Sequence, residues 1–456
     1  MAPTGPSQAG PQGASQAGPP QGASPQAGGH GAAAPAGRPR RPVIVSRPAR
    51  VRFAATLAVL GPGLVSGFAD NDAGGITTYS LAGAHFGYDL LWVILASQIA
   101  LFFTQEVGAR IGLATGQGLT GLTRQRFGVR WATFVALTML VANLGSTVAE
   151  FAGVGAALGI FGVPLPIAAV VAATAMILLI WKGSFGKVQY LFVTIGIGVS
   201  VAYIASAFLA KPDWALAAKS LVIPQLSSSP AYWLAVVGTV GTTITPWGQA
   251  FIQAYVVDKR LGPEDLRGSR LDVGLGALIT NVVAAFIIIA CAATLYATGQ
   301  TNVTSADQVA MALGPLAGPA ATYLFAFGLL AASLLGLGVV PLTSAYTASE
   351  AFGWEMGVDW RWRDAPAFYA LLVFFIGFSA LFVLIPGLPL IQVMFLAQVL
   401  NALLLPIILV FVMLIGSDRT LLGDLASGPL LRTIGWGVTV ALIVMSLILV
   451  YASVSA

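Results

Sequence analysis

Asp70 and Asp72 stand two residues apart in the run Asp70-Asn71-Asp72-Ala73-Gly74-Gly75, inside an otherwise apolar stretch. Ionisable side chains at membrane depth cost about 2.5–3.5 kcal/mol each, so the few that occur are candidates for function. Glu150, in GSTVAEFAG, joins them, and its small neighbours let it face a helix-bundle interior; Glu106 lies nearer the end of its own apolar stretch. No Lys, Arg or His shares the depth of the first three. Carboxylates without a basic partner attract a cation and repel an anionic substrate. Asp72 reads as a direct or water-mediated ligand. Asp70 reads as a second ligand, a vestibule charge or a helix cap, and Glu150 as a ligand acting through water or as a packing carboxyl.

Neutral oxygens complete the set. A second interruption, Gly241-Thr242-Thr243-Ile244-Thr245-Pro246-Trp247-Gly248, offers the Thr245 hydroxyl and the backbone carbonyls of Thr242 and Thr243, while Gln398 and Asn401 share a helix face at i, i+3 spacing. Taken singly, each such group is more often a satisfied interhelical hydrogen bond than a ligand. Together they are hard donors, which suit Mg2+, Ca2+ or Mn2+ better than later transition metals. Mg2+ dehydrates reluctantly and keeps several waters, so its site needs few protein ligands and some room. Gly74, Gly75 and Thr245 leave that room.

These residues must be positioned by a membrane fold. The chain is 57% hydrophobic and 9% charged, against roughly 25% charged in a soluble domain. Since about 20 apolar residues cross a bilayer, eleven spans can be drawn: 54–86, 90–113, 131–160, 164–182, 188–210, 231–257, 272–298, 318–348, 366–385, 388–415 and 431–453. The two interruptions fall in the first and sixth spans. Backbone freed from a helix in lipid must be buried or line a cavity. Breaks five spans apart are the pattern of inverted five-helix repeats, with the site where the broken helices meet. The expected fold is therefore all-α and integral to the membrane, with residues 51–456 forming one eleven-helix domain.

Residues 1–50 are rich in Gly, Pro, Ala, Gln and Ser, end in Arg38, Arg40, Arg41, Arg47 and Arg50, and read as a disordered basic tail. The net charge of +5 reflects topology rather than a nucleic-acid partner. With a cytoplasmic N-terminus, all of the 22 Lys and Arg except Lys211 and Lys219 fall on the tail or on cytoplasmic loops, which places the C-terminus outside. No cleavable signal peptide is visible. The single cysteine, Cys291, lies in an apolar run and excludes a disulfide framework or a cysteine metal cluster.

Several segments resemble the Nramp family of divalent metal transporters. GPGLVSGFADNDAGGITTYSLAGA is similar to its first helix and VVGTVGTTITPWGQAFIQAYVVDKR to its sixth; QEVGARIGLATGQGLTGLTRQRFG, VAEFAGVGAALGIFGVPLP and AQVLNALLLP resemble its second, third and tenth. The resemblance implies a LeuT-like fold of inverted 5+5 repeats that works by alternating access. This chain departs from the family pattern at the site. The family's Asp-Pro-Gly-Asn reads Asp72-Ala73-Gly74-Gly75, its Met-Pro-His reads Thr245-Pro246-Trp247, and a helix-three aspartate used in proton transport is replaced by Thr147, while Glu150 is kept. Gln398 matches a family residue that approaches the ion in occluded states. The combination resembles the Nramp-related magnesium transporter branch, and implies Mg2+ carried partly hydrated and without proton coupling, with Mn2+ a second candidate ion.

The expected protein is a multi-pass transporter of a bacterial inner membrane. It has no cofactor and no obligate protein partner, and the metal ion is its cargo. The nearest alternative is a proton-coupled Mn2+/Fe2+ symporter with a proton path through Glu150, Asp70 or Glu106. An amino-acid transporter is disfavoured by carboxylates that would repel a substrate carboxylate, and a membrane-embedded hydrolase by the absence of HExxH, paired histidines or a serine motif.

Overall fold

The computed structural model describes residues 66–67, 69–181, 185–259, 261–357 and 361–455. The basic tail, the opening of the first span (54–65), Lys182 and Arg260 lie outside them. Every described element is helical. The main ones are α1 (Ala73–Phe86), α2 (Leu91–Thr115), α3 (Leu119–Phe127), α4 (Val129–Ile160), α5 (Leu165–Trp181), α6 (Phe185–Leu209), α7 (Trp214–Val222), α8 (Pro230–Thr243), α9 (Pro246–Asp258), α10 (Leu266–Cys291), α11 (Ala321–Phe352), α12 (Pro366–Phe382), α13 (Leu390–Gly416) and α14 (Pro429–Ser455). Where they are described, the eleven expected spans fall on helix, apart from the breaks in the first and sixth and short non-helical ends. The short helix α7 was not expected, and α10 starts earlier than the seventh span and ends in a π-helical turn, Ala292–Tyr296.

Among the described residues six helical stretches are long and apolar enough to cross a membrane: Leu91–Thr115, Val129–Ile160, Pro263–Tyr296, Gly318–Phe352, Leu390–Gly416 and Pro429–Tyr451. Their outward surfaces are apolar as well. Ile167, Val170 and Val171 on α5 and Leu447, Val450 and Tyr451 on α14 are each at least half exposed, and only 22% of the apolar window of the last stretch is buried. Water does not tolerate such a contiguous apolar surface, whereas lipid does.

Both interruptions are present and are narrower than the sequence suggested. Helix resumes at Ala73, so Gly74 and Gly75 are helical, and the second break is confined to Ile244 and Thr245, between α8 and α9. α4 and α11 pack along one another, α13 packs on α4 and α8, and α1 is enclosed by α8, α10 and α13. Small residues permit these close approaches. A Cβ at Gly241 would overlap the backbone of Gln398 and Ala402, bringing α8 onto α13, and one at Gly67 would lie 2.6 Å from the Gly276 carbonyl on α10.

Candidate cation site

The two breaks use the same local device. Asp72 is the N-cap of α1, and its Oδ1 accepts the Gly75 N–H at 2.6 Å. Thr245 immediately precedes α9, and its Oγ1 accepts the Gly248 N–H at 3.1 Å. In each case a side-chain oxygen satisfies an amide three residues on, which a helix start would otherwise leave unpaired. Pro246 suits the first helical position because its missing N–H has no intrahelical partner there. On the other side of the second break α8 ends at Thr243, so carbonyls of its last turn lack intrahelical partners and the negative end of the helix dipole faces the gap.

The carboxyls converge on this gap. Asp70 and Asp72 are each 1% exposed and Glu150 is fully buried. Thr245 Oγ1 donates to Asp70 Oδ1 at 3.4 Å, while Asp70 Oδ2, Asp72 Oδ2 and both Glu150 oxygens make no hydrogen bond. The Glu150 carboxyl lies within reach of the Asp72 carboxyl and packs on Gly336 of α11, where a Cβ would fall 2.5 Å from its Cδ. Two facing carboxyls away from water are tolerated only if a cation or a shared proton lies between them. Thr242 Oγ1 makes no hydrogen bond either, and would lie 3.1 Å from a Cβ at Gly75, beside Asp72 Oδ1 at 3.3 Å.

The Gln398 amide lies directly over Gly74, where a Cβ would overlap its Nε2, and that Nε2 is unpartnered. Asn401 is engaged differently. Its Nδ2 donates to Gln398 Oε1 and to Ser146 Oγ, both at 2.9 Å, so it orients Gln398 rather than offering free oxygens to the gap. The structure thus gathers Asp70, Asp72, Glu150, Thr242, Thr245 and Gln398 and sets Asn401 behind Gln398. Among the described residues no group of three or more His, Cys, Asp and Glu side chains is arranged as a metal site. Any ion held here would therefore take much of its shell from neutral oxygens and water.

Sequence reasoning missed three features. The surroundings are not purely hard, because the buried thioether of Met394 accepts from Thr77 Oγ1 at 3.5 Å and lies 3.6 Å from a Cβ position at Gly153, beside Ala73. Met394 precedes Gln398 by one helical turn, a spacing visible in the sequence. Glu106 is paired with two guanidinium groups through one oxygen: Arg110 Nη2 approaches Oε1 at 2.9 Å and Arg270 Nη2 at 2.6 Å. Arg110 was readable at i+4, whereas Arg270, on α10, was not. A further carboxyl, Glu350 on α11, accepts from Thr120 Oγ1 at 3.0 Å and abuts Gly118 at the start of α3.

The model of the Nramp family (natural resistance-associated macrophage protein-like) matches residues 63–452. The chain belongs to the Nramp family. It is 28% identical over 398 residues to the divalent metal cation transporter MntH of Klebsiella pneumoniae, covering 85% of this chain and 92% of that one. Among solved structures it resembles the Eremococcus coleocola manganese transporter, with a TM-score of 0.72, 20% identity and 88% of both chains covered. It also resembles Mhp1, a nucleobase-cation-symport-1 family transporter in a closed conformation, with a TM-score of 0.57, 15% identity, and 86% of this chain and 90% of that one covered. At these identities the structural likenesses speak for the fold alone, and that fold is the LeuT-like architecture that the resemblance to the Nramp family implied.

Proposed function

We propose that this Nramp protein transports a divalent metal cation, Mg2+ first and Mn2+ second, as a partly hydrated ion and without obligatory proton movement. The observation that carries the reading is the gap between the two breaks. Asp72 turns one oxygen to its own helix and leaves the other without a hydrogen-bond partner, the Glu150 carboxyl lies close by, and around them stand the Thr242 and Thr245 hydroxyls, the Gln398 amide and the carbonyls at the end of α8, with the Met394 thioether one turn from Gln398. The family relatives are named for divalent metals, and the departures at Gly75, Thr245 and Trp247 support the magnesium-transporter branch. In this reading Asp72 is the principal ligand. Thr242, Thr245, Gln398 and Asp70 contact the ion directly or through its waters, Glu150 balances charge behind Asp72, and Asn401 holds Gln398. The N-terminus is cytoplasmic and the first span moves to release the ion.

A proton-coupled Mn2+ or Fe2+ symporter is favoured by one observation, the facing Asp72 and Glu150 carboxyls, which suit a shared proton as well as a metal. Influx into proteoliposomes, with one dye for the metal and one for internal pH, separates the two readings. Mg2+ influx without acidification is the expected result. Mn2+ influx with acidification and no Mg2+ signal would assign the chain to the coupled type.

A further inference from the structure

Beyond the site, α9 carries a polar face that packing does not explain. Thr245, Gln249 and Gln253 recur every four residues and therefore lie along one side of the helix. Gln249 and Gln253 are both fully buried. Gln249 Nε2 donates to Thr104 Oγ1 on α2 at 3.2 Å, but its Oε1 is unpartnered, and neither the oxygen nor the nitrogen of the Gln253 amide meets any protein group at hydrogen-bonding geometry. A buried amide left without a partner destabilises the packed state. A chain selected only for this packing would place leucines there.

The opposite wall of the seam is bare. Gly108 and Gly112 of α2 face this side of α9, and a Cβ at Gly108 would lie 3.1 Å from Ile252 Cγ2 and 3.5 Å from Gln253 Nε2. At Gly112 it would lie 3.1 Å from Val256 Cγ1 and 3.2 Å from the Gln253 carbonyl. The glycines let α2 and α9 close to near backbone contact, while the amides trapped between them are groups that prefer water. The seam begins at Thr245, whose hydroxyl is on Asp70, and runs away from the gap along α9.

We propose that α2 and α9 part in a second state of the protein, that the seam then fills with water, and that Gln249 and Gln253 form a subsite for a hydrated divalent cation between the central gap and the membrane surface. The amide oxygens accept hydrogen bonds from the ion's water shell, so the ion passes without being stripped a second time. Neutral amides suit this role, because a carboxylate there would hold the ion. The cation role rests on the transport reading above; the opening of the seam does not.

The test uses the full-length chain with Cys291, the lone cysteine and fully buried, replaced by Ala. In that background Gln253→Cys is exposed to a small hydrophilic thiol reagent, with Val135→Cys, a fully buried position on α4, as the closed control. The expected result is labelling of Gln253→Cys and not of Val135→Cys, with metal influx blocked on labelling. Absence of labelling in a variant that still takes up Mg2+ would overturn the proposal. In parallel the pair Gln249→Leu and Gln253→Leu is expected to lower maximal Mg2+ influx about ten-fold with KM within two-fold, and Gln253→Asn to restore most of it. Unchanged influx in the leucine pair would remove the subsite. If the unsubstituted protein moves no divalent cation, the transport reading and the cation role both fall, and labelling alone still decides whether the seam opens.

Discussion

In the proposed reading Asp72 serves two ends at once, and substitution can separate them. As N-cap of α1 it contributes roughly 1 kcal/mol that alanine would forfeit and asparagine would largely keep. As the proposed ligand it would contribute a charge that both substitutions remove. Asp72→Asn is therefore expected to leave thermal stability in detergent within a few degrees of the parent while lowering Mg2+ influx at least ten-fold; near-normal influx would sink the assignment of Asp72 as principal ligand. Thr245 is similarly divided between the Gly248 amide and the gap. Thr245→Met puts a thioether beside the ion and is expected to raise competition by Cd2+ and Mn2+ against Mg2+ at least five-fold, since soft donors favour those ions. A competition profile unchanged from the parent would show that donor softness at this position does not set selectivity.

At the scale of elements, much of the architecture could be read from the sequence, because apolar length and Gly/Pro interruption are local properties. What could not be read was how the breaks are finished. Asp72 and Thr245 look like ligands among the polar residues of the sequence, and only the fold shows that each also caps the half-helix that follows. Asn401 shared a face with Gln398 in the sequence, yet its Ser146 partner comes from α4, a long-range contact that no spacing encodes. The hidden pairing of Glu106 with Arg270 is of the same kind. The close helix approaches are also non-local, and they yield a prediction. Gly241 admits no Cβ against the backbone of Gln398 and Ala402, so Gly241→Leu forces α8 off α13 and misplaces Gln398. A loss of about 1–3 kcal/mol is expected from overpacking, seen as a lower unfolding temperature together with lost influx, and a variant as stable as the parent would show that α8 is free to shift.

For the whole molecule, the proposed lack of proton coupling fixes how far cargo can be concentrated. A membrane potential supplies about 2.3 kcal/mol per charge per 100 mV, hence about 4.6 kcal/mol for a divalent ion at that potential. At about 1.4 kcal/mol per ten-fold, an uncoupled carrier reaches a gradient of roughly 2,000-fold and then stops. Proteoliposomes held at a fixed negative-inside potential are therefore expected to accumulate Mg2+ to the same limit whether the outside is at pH 6 or pH 8. A coupled symporter behaves otherwise: each co-transported proton adds its own charge and its own pH gradient, so the limit would rise as the outside is acidified. A pH-dependent plateau would refute uncoupled transport even if Mg2+ proved to be the cargo, while a flat plateau that tracks potential with the slope of two charges would fix both the valence of the moving ion and the absence of a proton partner.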